Sequence, residues 1–328
     1  MDQLENQSLP PTTQLELFPQ PDTGRQPIID LINSATRTID AEMDELTDLE
    51  ALSALKTAAQ RGVQVRVLLA PKLRTGESNF DLYAPVLQAA GIEAKPTPAK
   101  FDTEDSLANA RFLVLDQSRL LVGTTSFSVS GLGDFTTAAA SRSFWLLDPR
   151  PEVVAEAQAL FNADWAQEDL VDGAFQALTV TPENSHARIL GFIHGVQRVL
   201  YIYTQEMSLE NVTDALISAR NTRCVDVRVL VSDHSTANQT TIQQLQSAGI
   251  PAYPYTRYAL AANAFLADGQ LFIGSQTFTY EGFFTNRELG ELVTDEALVD
   301  QFTDLFLVDF EFSSAMAVTA DGSEPSQG

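Results

Sequence analysis

The chain holds one cysteine, three histidines and two tryptophans in 328 residues, and its 20 Lys and Arg face 44 Asp and Glu. A lone cysteine excludes an intrachain disulfide. Cys224 precedes the β-branched run from Val225 to Val231 and is expected to be a small buried hydrophobe. The formal net charge of −24 repels phosphate backbones and anionic bilayers, which disfavours sequence-independent nucleic-acid binding and adsorption to such membranes. The acids are spread along the chain, as a solubilising surface needs and an acidic tail does not. No apolar run approaches the roughly 18–20 residues of a membrane span. Met1–Glu16 is polar and acidic, without the apolar stretch of a secretory signal. The expectation is a cytoplasmic protein with neither cofactor nor metal.

With 44% hydrophobic residues the chain can bury a large core, and its length suits two domains. Residues 1–27, rich in Gln, Pro and Thr, read as a flexible arm in which Leu15–Phe18 can add an edge strand. Residues 313–328 read as a frayed, disordered tail. Between them the sequence repeats itself. Leu31–Ile39 matches Phe192–Leu200, Val65–Leu68 matches Val227–Leu230, Leu87–Ile92 matches Leu245–Ile250, and Ser141-Arg142 matches Asn286-Arg287. The spacing drifts in one direction, from 161 residues (Arg37 to Arg198) to 145 (Arg142 to Arg287), as a duplication with small deletions would. The boundaries follow as 28–170 and 171–312. Within the first repeat, Ile28–Ala35, Leu49–Gln60, Leu82–Ala90 and Pro151–Ala163 have helical spacing. Val63–Leu69, Phe112–Leu115 and Leu120–Val122 read as strands. Each repeat is thus an α/β unit, a mixed sheet flanked by helices.

Two segments at matched positions carry the chemistry. The first is Asn109-Ala110-Arg111 with Asp116, followed by Gly123-Thr124-Thr125-Ser126. The second is Ala261-Ala262-Asn263 with Asp268, followed by Gly274-Ser275-Gln276-Thr277. They resemble the H-x-K-x4-D and G-[ST]-x-x-N pattern of the phospholipase D superfamily, of the two-repeat cardiolipin-synthase-like and phosphodiesterase type. The resemblance covers the chain from about Phe18 to Phe312. It implies two repeats packed about a pseudo-two-fold axis, each giving one segment to a shared pit. There one His would attack phosphorus, the other would protonate the leaving oxygen, and Lys, Ser and Asn would bind phosphoryl oxygens.

The reacting groups themselves are missing. Asn109 and Ala261 stand at the His positions; an amide is neither nucleophile nor base near neutral pH, and alanine offers nothing polar. At the Lys positions, Arg111 keeps a charge that can fork onto a phosphate, and Asn263 has none. Thr124 and Ser275 keep hydroxyls after the glycine, Ser126 and Thr277 replace the Asn, and the acid that follows survives as Glu288 but is Ser143 in the first repeat. Asp116 and Asp268 are unchanged and maintain the fold. Losing groups that act as a unit removes most of a rate enhancement.

The resemblance therefore implies a catalytically degenerate protein. It would bind a phosphate-containing small molecule or lipid headgroup through Asn109, Arg111, Thr124, Ser126, Asn263, Ser275, Thr277 and Glu288, or serve as a scaffold beside an active paralogue or a second copy. The alternative is a residual phosphodiesterase that uses Ser126, His234 or a metal. Asp44, Glu45, Glu206 and Asp233 are the carboxylates considered for a cation, against a solvated acidic rim. Tyr253, Tyr255, Tyr258, Phe283 and Phe284 either line the mouth of the pit or pack the core.

Overall fold

The computed structural model describes residues 14–73, 75–136, 139–171, 173–233 and 235–320. The first repeat runs β1 (Glu16–Gln20), α1 (Gln26–Ser34), β2 (Thr38–Met43), α2 (Leu49–Gln60), β3 (Gln64–Leu69), α3 (Phe80–Ala89), β4 (Glu93–Pro96), β5 (Phe112–Leu115), β6 (Arg119–Gly123), β7 (Ser141–Asp148) and α4 (Pro151–Ala166). The second runs β8 (Leu178–Thr181), α5 (Ser185–Gly195), β9 (Val199–Thr204), α6 (Glu210–Arg223), β10 (Asp226–Ser232), α7 (Thr236–Ser247), β11 (Ala252–Tyr255), β12 (Ala259–Leu260), β13 (Ala264–Ala267), β14 (Gln270–Gly274), α8 (Tyr280–Phe284), β15 (Glu288–Val293) and α9 (Glu296–Ala320).

The two sheets have one topology. The first is ordered β1-β7-β6-β5-β2-β3-β4 and the second, read in the same sense, β8-β15-β14-β13-β9-β10-β11. In each, the three strands linked by helical crossovers are parallel and the hairpin strands antiparallel, the mixed sheet expected from the alternation of elements. The edge strand expected at Leu15–Phe18 forms as β1, antiparallel to β7, and α1 begins at Gln26, within the span expected as a flexible arm; residues 1–13 of that span lie outside the described residues. At the other end α9 continues to Ala320, through residues expected to fray from 313.

Strand alternation sorts the side chains into layers. In β2, Ile39, Ala41 and Met43 pack outward with α1 and α2, and in β9 Leu200 and Ile202 pack outward with α5 and α6. The inner faces of both sheets share one core with α4 and the aromatic face of α9, Phe302, Phe306 and Phe310. Tyr255 is buried in that core and Tyr253 packs on Phe310; Phe283 is buried in the outer layer of the second repeat. Trp145 is buried beneath Gly123, and Trp165 stacks on Phe161 at the end of α4.

Two buried ion pairs lock the repeats together. Arg142 of β7 reaches Asp309 of α9 at 2.7 Å and also bonds the Gln20 carbonyl and Asp22. Arg287, just before β15, reaches Asp164 of α4 at 2.9 Å and also bonds the Thr181 carbonyl and Glu183. Each residue in one constellation matches its counterpart in the other, which is the pseudo-two-fold axis written in side chains.

Cys224 departs from its expected place. It is exposed and caps α6 with φ +57°. Its match in the first repeat is Gly62, φ +91°. The position requires a left-handed residue to turn the helix into the next strand, which overrides the apolar neighbourhood.

Candidate functional site

Each motif loop is anchored on the opposite repeat. The Asn109 amide N–H donates to the Arg287 carbonyl (2.8 Å), and the Arg287 N–H donates to Leu107 (2.9 Å). Reciprocally, β12 pairs in parallel with the start of β7, and the Ala261 N–H donates to the Arg142 carbonyl (2.9 Å). These crossings bring Asn109 and Ala261 to one cavity of about 330 Å³, also lined by Asp44, Arg111, Thr124, Ser126 and Gln205. Asn263, Ser275 and Thr277 lie outside that lining.

The bottom of the pit is an internally satisfied polar network. Arg111, 3% exposed, donates through Nε and Nη2 to the two oxygens of Asp44 (3.0 and 2.7 Å), through Nη2 to Asn109 Oδ1 (2.6 Å), and through Nη1 to the Thr124 carbonyl (3.1 Å). Burial works against the guanidinium charge, but Asp44 outweighs it and holds the pKa above the usual value. The second repeat keeps this arrangement without charge. Asn263 Nδ2 donates to the Ser275 carbonyl (3.1 Å) and to Gln205 Oε1 (3.3 Å), and its Oδ1 accepts from the Gln205 N–H (3.0 Å). Gln205 matches Asp44, so the charged pair of one repeat is an amide pair in the other. Loss of the cation at 263 goes with loss of the anion at 205.

A second pair spans the axis. Asn109 Nδ2 donates to both oxygens of Glu288 (2.9 and 3.0 Å), and Asn286 Nδ2 donates to Oε1 (2.9 Å). Glu288 is fully buried, and desolvation pushes its pKa up to about 7 against the opposing pull of Arg111 and these donors. The matching pair is Ala261 with Ser143, whose hydroxyl donates instead to the Gly131 carbonyl (3.4 Å). One side of the axis thus holds a polar couple and the other does not.

The hydroxyls divide by role. Thr124 Oγ1 accepts from the Phe144 N–H (3.0 Å) and Ser275 Oγ from the Leu289 N–H (3.1 Å), so both serve the sheet. Thr277 pairs with Thr279 (3.1 Å). Ser126 lines the cavity. Asp116 accepts the N–H groups of Thr36, Arg37 and Thr38 at 2.6–3.1 Å, and Asp268 those of Gln197, Arg198 and Val199 at 2.6–2.9 Å. Burial raises such a carboxyl, but these donors hold both below the usual range, as a loop anchor requires.

The remaining candidates are engaged by neighbours or lie away from the cavity. Asp44 is taken by Arg111, and Glu45 accepts from Thr47 (2.5 Å). His186 packs on Phe284 and pairs with Asn211, and His194 is exposed on α5. His234 lies outside the described residues. None of the five aromatics considered for the mouth lines the cavity. Sequence reasoning missed Asp40 and Glu42 on the inner face of β2, which continue into Asp44 just beyond the strand as an acidic stripe, where the second repeat has Tyr201, Tyr203 and Gln205. Period-two alternation was its signal. Glu42 is fully buried beside Asp164 and Arg287. Burial and the Asp164 charge raise its pKa well above the usual carboxylate value, more than Arg287 lowers it.

The fold and the shared pit define a two-repeat phosphodiesterase-type scaffold. Residues 28–165 and 189–309 match the family model described as cardiolipin synthase, PLD-like domain, and the chain belongs to this family within the phospholipase D superfamily. No curated protein matches the sequence. Among solved structures, phosphatidylserine synthase from Haemophilus influenzae superimposes with a TM-score of 0.69 at 13% identity, over 89% of this chain and 85% of that one. Polyphosphate kinase from Porphyromonas gingivalis gives 0.68 at 17% identity, over 90% of this chain and 50% of that one. The chain thus spans half the length of that kinase, and both likenesses speak to the fold. No helix among the described residues is long and apolar enough to cross a membrane.

Proposed function

We propose that this chain is a non-catalytic member of its superfamily that holds a ligand in the pit between its repeats without cleaving a phosphodiester. The observation that carries this reading is the pair Asn109 and Ala261 facing one cavity at the positions of the two catalytic histidines of the motif. Neither can attack phosphorus or shuttle a proton. The groups that would stabilise the transition state are turned to one another: Arg111 to Asp44, Asn263 to Gln205, Thr124 and Ser275 to the sheets. The residual-phosphodiesterase reading retains Ser126 in the pit. A partner-subunit role beside an active relative uses the same emptied site, and co-purification with that relative is its test.

The test is restoration. Asn109→His, Arg111→Lys, Ala261→His and Asn263→Lys are introduced together and release of nitrophenolate from bis(4-nitrophenyl) phosphate is followed. The expected result is turnover by the restored protein and none by the native chain. Native turnover that Ser126→Ala abolishes would overturn the reading.

A further inference from the structure

We propose that the pit takes a small amine, an ammonium-bearing ligand, and that Asp44 is a built-in counter-ion that keeps oxyanions out. This rests on the non-catalytic reading of the same pit and replaces the phosphate-containing ligand expected from the motif. The one cation at the bottom, Arg111, already holds a carboxylate in the fork geometry that a phosphate would need, and two further acceptors take its remaining donors. An incoming phosphate must displace Asp44, leave that buried carboxylate without its partner, and bring more negative charge beside it. The second repeat offers no cation at the matching place, only the neutral Asn263–Gln205 couple.

Among the described residues, Glu45, Glu77 and Asp102 also line the cavity, against the exposed amine of Lys72. A concave site with an excess of one sign focuses the field of its walls and concentrates the opposite charge. An ammonium group carries three donors and no acceptor, and these carboxylates with the hydroxyl of Ser126 supply acceptors only a cation can use fully. A cavity of about 330 Å³ lies at the small end of ligand pockets, which suits a short diamine rather than a lipid.

Calorimetric titration at constant ionic strength and pH 8 compares putrescine with inorganic phosphate, and release from bis(4-nitrophenyl) phosphate is read on the same preparation. The expected result is one putrescine per chain and no phosphate binding. Glu77→Gln and Asp102→Asn should each weaken putrescine about fivefold, the effect of one charge about 4 Å away in a water-like medium. Glu152→Gln with Glu296→Gln, exposed and remote from the pit, remove equal surface charge and should change nothing. Asp44→Asn, checked for an intact thermal transition, should admit phosphate at Arg111. Phosphate binding to the native chain that Arg111→Ala abolishes would overturn the proposal. So would failure of putrescine to bind, or putrescine binding as sensitive to the surface pair as to the pit carboxylates. Nitrophenolate release would instead count against the non-catalytic reading, whatever the ligand's charge.

Discussion

Replacing Asp309 by alanine should unfasten the repeats. Arg142 is 1% exposed and sits 2.7 Å from Asp309, which also accepts from the Tyr203 hydroxyl at 2.8 Å and from the more exposed Arg257 at 3.4 Å. Without it, Arg142 keeps only the Gln20 carbonyl and the half-buried Asp22, and the buried tyrosine hydroxyl keeps only a 3.4 Å contact to the Leu305 carbonyl. Breaking a buried pair strands its charge, at a cost of about 3–5 kcal/mol. Guanidinium unfolding near pH 7 should show that loss as a lower midpoint with the slope retained. Because Arg142–Asp309 and Arg287–Asp164 both cross the axis, the native chain should unfold in one transition reported alike by tryptophan fluorescence, which sees the first repeat, and by far-ultraviolet dichroism. Replacing both partners by Met and Leu should cost less than Asp309→Ala alone, since no charge is left behind. A loss below about 1 kcal/mol for Asp309→Ala would refute the assignment of these pairs as the clasp between repeats.

Three further outcomes follow from single sites. Glu288 has its native pKa raised to about 7, so its contribution to stability is complete below the ordinary carboxylate pKa and is lost as pH rises through 7. Urea unfolding should therefore show Glu288→Gln gaining about 2–3 kcal/mol relative to the native chain between pH 5 and 8. Asp116 shifts the other way, so its contribution holds above the ordinary pKa and disappears as pH falls through its lowered value. Asp116→Ala should cost about 2–3 kcal/mol at neutral pH, from lost charged hydrogen bonds and a φ of +54° that alanine tolerates poorly. Cys224→Gly should raise stability by about 1 kcal/mol by relieving the left-handed cap, and the native thiol should react with a chromogenic disulfide without denaturant, which a buried thiol would not do.

The duplication was legible because the repeated segments are the elements themselves. Leu49–Gln60 is the helix expected to the residue, Phe112–Leu115 is the strand expected, and the edge strand expected at Leu15–Phe18 forms at Glu16–Gln20. Asp116 and Asp268 could be read as loop anchors because their motif places them one strand from their donors. What the sequence hid lies in contacts between distant residues. Arg142 and Arg287 match as equivalent residues of the two repeats, yet nothing local says that each reaches an aspartate of the other repeat, Asp309 and Asp164. Arg111 read as a free phosphate ligand because its counter-ion, Asp44, lies just beyond β2, 67 residues earlier. Cys224 was misplaced because hydrophobic context was weighed over backbone demand, although Gly62 at the matched position held the clue.

In the proposed reading this pit holds a ligand but does not cut it. Its most direct test is prolonged incubation of the native chain at high concentration with bis(4-nitrophenyl) phosphate, with Mg2+, Mn2+, Ca2+ or a chelator. Nitrophenolate release should match that of buffer and of the Ser126→Ala variant under every condition. Release above buffer that Ser126→Ala or chelation removes would contradict the account and identify the group that replaced the missing histidines.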